Sequence, residues 1–582
     1  MSRLNFVSWL AVFLPLVGLS QEAVALDEGW IFQRGDSMHW ANPLSDDAGW
    51  SPITVGKSWE RQGFDDLDGF AWFRLRFTVP QRLRVPSQES VHRFLSLSLG
   101  RVDDVDETFF NGERIGGTGG FPPQFQTAWD QPRRYLVPFP LIRWDGENVI
   151  AVRVYDGRNG GGLIGPNPQL SLASWDDLIS LQLEPEAPSG VFSAHQIPGV
   201  SVSMTNESDQ PFEGVLNWVV RRDSGERIDQ VDQGVEISPG NSKSSRLGLT
   251  QRGPGFFEVS VSLQSDRLSA ALSESVIIGS RIHEIQSALT RRDDFDAYWQ
   301  DTLGALAEVD PEYELRPRPE MDRESHRVYE VQMRSLGGVH VGGWLEVPLG
   351  TGPFPALIRV PGYGQNMRPV GRKEPMVVLS FNVRGHGNAQ RDVLGVPQDF
   401  WIRGLDQAEG YYYQGAYADC VRAVDFLVSR SEVDASRIAI TGASQGGGLS
   451  LATAALDSRI RLCAPDIPFL CDWVHYFQTS DWPEMNEWIG AEAHRTWDST
   501  LATLSYFDTL NLASRIRCPV FLGLGLQDAV CPATTIMAVY NRLPRGKQLR
   551  IYRDAEHWVP SDHQRQKYRW LMAHFRRWGP SS

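Results

Sequence analysis

The sequence predicts several domains: two all-β modules in the first half, then a doubly wound α/β domain with a mostly parallel sheet. Three observations carry this. At 582 residues the chain exceeds one ordinary domain and suggests three or four. The first half holds short segments that alternate apolar and polar residues with period two between turns. In the second half, serine, aspartate and histidine stand just past short apolar runs, with helical segments between them.

The N-terminus reads as an export signal. Arg3 gives a basic start, Phe6 to Leu19 an apolar segment, and Ala23-Val24-Ala25 or Gly18-Leu19-Ser20 a small-residue cleavage site. Residues 1–25 are therefore expected to be a signal peptide, and the mature protein periplasmic or secreted. The run is short for a membrane span and is interrupted by Pro15, so no membrane insertion is expected after cleavage.

Residues 26–180 are expected to form the first β module. Ala71-Trp72-Phe73-Arg74-Leu75-Arg76-Phe77 and Phe94-Leu95-Ser96-Leu97-Ser98-Leu99 alternate cleanly. The Trp72-Phe73-Arg74 strand, the Asn111-Gly112 turn and the Gly146-Glu147-Asn148 strand entry resemble the galactose-binding-like jelly roll found in sialate O-acetylesterases. That resemblance implies a module able to hold sugar rings against aromatics such as Trp40, Phe121, Phe125 and Trp129, or one that only buttresses its neighbour. The acidic run from Asp103 to Glu107 reads as a solvated edge strand, with calcium binding as the alternative. Leu183 to Gly190, with two prolines, reads as a linker. Residues 190–280 then alternate without a helix signal, which suggests an immunoglobulin-like sandwich serving as a spacer.

Residues 285–582 carry the chemistry. Thr441-Gly442-Ala443-Ser444-Gln445-Gly446 follows the apolar run Ile438-Ala439-Ile440 and precedes a small-residue helix. A Gly-x-Ser-x-Gly between strand and helix is the nucleophile turn of an α/β-hydrolase. Val520 to Leu524 is a second strand that leads to Asp528, and Leu549 to Tyr552 a third that leads to His557. Ser, Asp, His in that order is the triad order of this fold. His557 would take the proton of Ser444, and Asp528 would hold the imidazole tautomer. Asp554 is the rival acid, and His563 and His574 are rival bases.

From about Arg292 onward the chain resembles the acetyl xylan esterase/cephalosporin C deacetylase family. The motifs are Asp294 to Trp299, Gly342-Gly343-Trp344-Leu345, Gly362-Tyr363-Gly364, Arg384-Gly385-His386-Gly387, Tyr411-Tyr412-Tyr413, the Ser444 turn and Gly525 to Pro532. The resemblance implies a serine esterase that removes acetyl groups from carbohydrates, with Ser444, Asp528 and His557 as triad. It places the backbone amides of Tyr363 and Gln445 in the oxyanion hole. General considerations also favour Gln445, which follows the nucleophile. The chain departs from the family at His386, where glutamine is usual, at Trp558, Pro361 and Gln414. His386 reads as a structural replacement or a catalytic accessory.

With 71 acidic and 56 basic residues the net charge is −15, which argues against nucleic acid or an anionic membrane surface as partner. No Cys/His spacing resembles a zinc site, and neither metal nor cofactor is expected. Five cysteines cannot all pair, although Cys463 with Cys471 is conceivable. Other readings are a serine peptidase or another acyl hydrolase of the same fold, a glucuronoyl esterase, which usually has Arg where Gln445 stands, or a non-catalytic carbohydrate-binding protein. Oligomeric state is left open.

Overall fold

The computed structural model describes residues 23–578, apart from 66, 85–92, 124, 158–159, 166–167, 250–252, 372, 394, 396 and 481. Most of the expected signal peptide lies outside the described residues. Val24–Ala25 pairs antiparallel with Gln169–Leu172, so cleavage after Ser20 would keep that pair and cleavage after Ala25 would remove it. Among the described residues, no helix is long and apolar enough to cross a membrane.

The first module is built from two antiparallel sheets. One runs Ser51–Pro52, Ile31–Arg34, Gly69–Thr78, Glu147–Asp156, Val105–Phe110, Glu113–Thr118; the other centres on Phe94–Asp103. Leu97, Val102, Phe73 and Val152 meet in its core. The alternation in Ala71 to Leu75 does not translate into one wet face. All five are buried, because Trp40 and Trp50 cover the outer side over Trp72 and Phe109. Arg74 crosses this layer fully buried, donating to Asp47 at 3.0 Å.

The acidic run is not a solvated edge. Val105–Phe110 lies between two strands. Asp106 is sealed in an ion pair with Arg133 at 2.8 Å and accepts from Tyr135. Asp103, Asp104 and Asp156 lie together instead, and burial, then the neighbouring Asp104 charge, pushes Asp103 up to about 7. Of the four aromatics singled out for sugar contact, Phe125 and Trp129 are exposed, while Trp40 packs on Trp50 and Phe121 stacks on Phe70.

The second module is a sandwich of three and five strands. Its first strand, Ile179–Pro185, pairs along its length with Gly199–Asn206. The boundary therefore falls near the short helix Trp175–Leu178, earlier than the proline-rich segment suggested. Leu181 and Leu183 alternate toward the sandwich core, and that pattern outweighs the linker-like composition after them. Nor is this module a spacer. The turn between Phe212–Arg222 and Arg227–Ile237 reaches the third domain, where Asp223 accepts from His475 Nε2 at 3.2 Å and from the Thr534 hydroxyl. The Gln527 side chain bonds both the amide and the carbonyl of Ile277, at 2.8 and 3.1 Å.

The third domain holds a nine-stranded sheet in the order Glu314–Pro317, His326–Arg334, His340–Pro348, Val377–Asn382, Phe354–Arg359, Val433–Ala443, Ile460–Asp466, Val520–Gly525, Lys547–Tyr552. It is parallel from Val377–Asn382 onward. Strands buried on both faces read as continuous apolar runs, as Val377–Asn382 and Val520–Gly525 do. The chain passes from Phe354–Arg359 to one neighbour and then returns to Val433–Ala443 on the other side. That reversal opens a crevice at the carboxyl ends of these two strands. The helices Trp473–Thr479, Pro483–Gly490 and Trp497–Leu504 are inserted between Ile460–Asp466 and Val520–Gly525.

Candidate active site

Ser444 stands at the crevice, between strand Val433–Ala443 and helix Gln445–Leu456, with φ 57° and ψ −121°. Such a backbone costs about 1–3 kcal/mol and needs enforcement by its surroundings. The Ser444 amide donates to the Asp466 carbonyl at 3.1 Å, and the Ser444 carbonyl accepts from Phe469 at 2.9 Å. The flanking glycines are required by space. A Cβ on Gly442 would lie 2.6 Å from the Gly446 backbone, and one on Gly446 would lie 2.5 Å from the Val360 carbonyl.

Asp528 follows strand Val520–Gly525, and its side chain is wholly buried. Oδ1 accepts from the amides of Val530 and Cys531, both at 2.8 Å. Oδ2 faces His557 Nδ1 at 2.9 Å. One carboxylate oxygen is thus fixed by backbone and the other fixes the imidazole. His557 remains about one-third exposed, open to the crevice.

Cys531 was not singled out as a site residue in the sequence. Its thiol stands beside Ser444 and lies within 4.8 Å of the ligand atoms of Asp528 and His557. It therefore joins the serine to the other two. Burial, then the Asp528 charge, pushes this thiol well up, so it is a neutral neighbour. The available signal was its place three residues after Asp528 in the same turn.

The rivals fall away on geometry. Asp554 is exposed and held by Arg553 at 2.6 Å. His574 donates to the Trp570 carbonyl and packs on its ring. His563 is fully buried, with Nε2 on Asp466 at 2.7 Å and Nδ1 on the Tyr552 hydroxyl. All five cysteines are free and buried, so Cys463 and Cys471 are unpaired.

Asp466, whose carbonyl holds the Ser444 amide, anchors the base of the site. Burial alone would raise its pKa, yet Lys567 at 2.5 Å and His563 hold it at about 2. Its folded-state pKa is depressed, so its contribution to stability is present above the ordinary value of 3.8 and is lost as pH falls toward 2. Lys567→Met is expected to cost about 3–5 kcal/mol, because it leaves a buried carboxylate with weaker partners. Urea unfolding at pH 7 would measure it.

Gln445, fully buried, opens its helix, so its amide has no partner one turn back. Its Oε1 accepts from the Tyr413 hydroxyl at 2.9 Å. Tyr363 lies in the loop after Phe354–Arg359, next to Gly362, whose added Cβ would stand 3.5 Å from the Ala443 carbonyl. One amide thus begins the helix that follows Ser444, and the other lies in the loop after Phe354–Arg359. Tyr413→Phe would leave a buried amide oxygen unsatisfied, at about 1–3 kcal/mol. The expected result is a kcat loss of about tenfold with KM nearly unchanged, read from steady-state kinetics.

The other motif residues are structural. Arg384, buried by its surroundings, is held by Asp419 through Nε and Nη2 at 2.9 and 2.7 Å. His386 is fully buried, between the Tyr412 hydroxyl and the Arg384 carbonyl, and burial depresses its pKa. It is a neutral packing residue beneath Phe400. Trp482, from the inserted helices, packs on Trp401 at 4.3 Å and on Phe469, the partner of the Ser444 carbonyl, at 5.5 Å between ring centres.

A family model described as acetyl xylan esterase (AXE1) matches residues 278–574. The acetyl esterase Axe7A of Xylanibacter ruminicola is 26% identical over 342 residues, covering 55% of this chain and 75% of that protein. The acetyl xylan esterase from Paenibacillus sp. R4 is 33% identical, covering 50% of this chain and 98% of that one, with a TM-score of 0.47. Acetyl xylan esterase 1 from Thermoanaerobacterium sp. JW/SL YS485 is 28% identical, covering 50% and 97%, with a TM-score of 0.48.

Proposed function

The chain belongs to the acetyl xylan esterase family of α/β-hydrolases, and from that premise we propose that it is an exported serine esterase that deacetylates O-acetylated oligo- or polysaccharides. The observation that carries the serine mechanism is the Asp528–His557 pair beside a serine held at positive φ. Ser444 Oγ bonds the acetyl carbon while its proton passes to His557. The carbonyl electron pair moves onto oxygen, between the amides of Tyr363 and Gln445. Collapse breaks the bond to the sugar oxygen, which takes the proton from His557. Water then repeats the sequence on the acetyl-enzyme and releases acetate.

Two measurements test this. A serine-directed phosphonate is expected to label the peptide containing Ser444, and labelling elsewhere, or none, would favour a non-catalytic binding protein. Acetylated xylo-oligosaccharides are expected to release acetate. Cleavage of 4-nitrophenyl acetate alone would keep the nucleophile and reject xylan as substrate. Export is tested by fractionating the native host: the mature chain is expected outside the cytoplasm, shortened at its N-terminus.

A further inference from the structure

A cavity of about 590 Å³ lies between the second sandwich and the inserted helices. That is within the roughly 300–1,000 Å³ of small-ligand sites. The sandwich supplies the turn Arg222 to Gly225 and Glu258. The third domain supplies Phe477, Trp482, Trp497, Asp528 and Ala529. Neither Ser444 nor His557 lines it.

We propose that this cleft binds pyranose rings of the glycan chain next to the acetylated unit, and that the Arg222–Gly225 turn makes the enzyme select oligosaccharides over small acetates. The proposal rests on the esterase reading above. Position supports it first. Asp528, which faces His557, lines the cleft, and so does Trp482, which packs on Phe469, whose amide bonds the Ser444 carbonyl. A chain leaving the acetylated ring in this direction enters the cleft.

Chemistry supports it second. Phe477 and Trp497 both line the cleft and pack on each other, 5.0 Å apart between centres, and Trp497, 37% exposed, offers apolar ring surface that suits the C–H face of a sugar. Two of the lining charges are paired, which leaves the Glu258 carboxylate as an acceptor for hydroxyl groups. Arg222 meets Glu226 at 3.3 Å, and Asp223 is taken up by His475 and Thr534. A neutral polyol fits this better than an ionic ligand. The wall is also preformed, because Asp223 and the Gln527–Ile277 bonds fasten the sandwich on both sides of the cleft. Little ordering then remains to be done on binding.

The test uses the full chain with Ser224→Trp, which fills the cleft from an exposed turn, and Trp497→Ala, which removes its outer platform. Each is expected to lower kcat/KM for acetylated xylo-oligosaccharides about tenfold, through KM, and to leave 4-nitrophenyl acetate turnover within about twofold. Binding of unacetylated xylotetraose to the Ser444→Ala protein is followed by calorimetry and is expected to weaken with either added change. Equal effects on both esters, or none on the oligosaccharide, would overturn the proposal. If xylotetraose binds in the cleft but no glycan ester is cleaved, the cleft reading stands and the esterase reading fails. If glycan esters are cleaved and neither variant matters, the reverse holds. If no glycan is bound or cleaved, both fall.

Discussion

Ser444→Ala is expected to lower acetate release by at least about 10⁴-fold, on aryl acetates and glycan esters alike. The loss should be chemical. Alanine keeps the same backbone at φ 57°, the same amide bond to the Asp466 carbonyl and the same acceptor for Phe469. What disappears is the oxygen proposed to bond the acetyl carbon, a neighbour of the Cys531 thiol. The unfolding midpoint should therefore stay near that of the wild type, as measured by thermal denaturation. Residual turnover would come from the oxyanion amides and from bound water. A variant that retained more than about one per cent of activity would remove Ser444 from the mechanism.

The site was legible in the sequence where chemistry follows from a local turn. The glycines around Ser444 announce a crowded strand-to-helix bend, and the contacts at Gly442 and Gly446 are that crowding. Asp528 and His557 were legible because each closes a short apolar strand, so strand order alone brings their loops to one edge of the sheet. Side chains that act across domains were not legible. Asp223-Ser224-Gly225 reads as an ordinary hairpin turn, and nothing local says that Asp223 will meet Thr534, 311 residues later. The composition after Leu183 pointed to a linker, although the strand before it was already paired. Likewise, period-two alternation could not reveal a second layer of tryptophans over the first sandwich. Which carboxylate faces His557, by contrast, could be read only from the pairing. Asp554 was nearer in sequence to His557, yet it is held by Arg553.

That pairing makes Asp528→Asn the sharpest single test of the base. The replacement keeps size and can keep both backbone bonds, since an amide oxygen at Oδ1 still accepts from Val530 and Cys531. The other atom becomes an NH₂ group facing His557 Nδ1 across 2.9 Å. An NH₂ group can only donate there, so Nδ1 must accept and the ring proton moves to Nε2. The nitrogen that should take the proton of Ser444 is then already protonated. The imidazolium that forms during attack also loses its countercharge. Together these are expected to lower kcat about 10⁴-fold with little change in KM. The fold should tolerate the change, because no buried group is left without a partner. Asp554→Asn provides the contrast: it removes only an exposed partner of Arg553 and should leave kcat within about twofold. If Asp554→Asn were the damaging change and Asp528→Asn the silent one, the acid would be misassigned. The serine and the histidine would keep their places, and the loop after Lys547–Tyr552 would have to turn its carboxylate inward during catalysis.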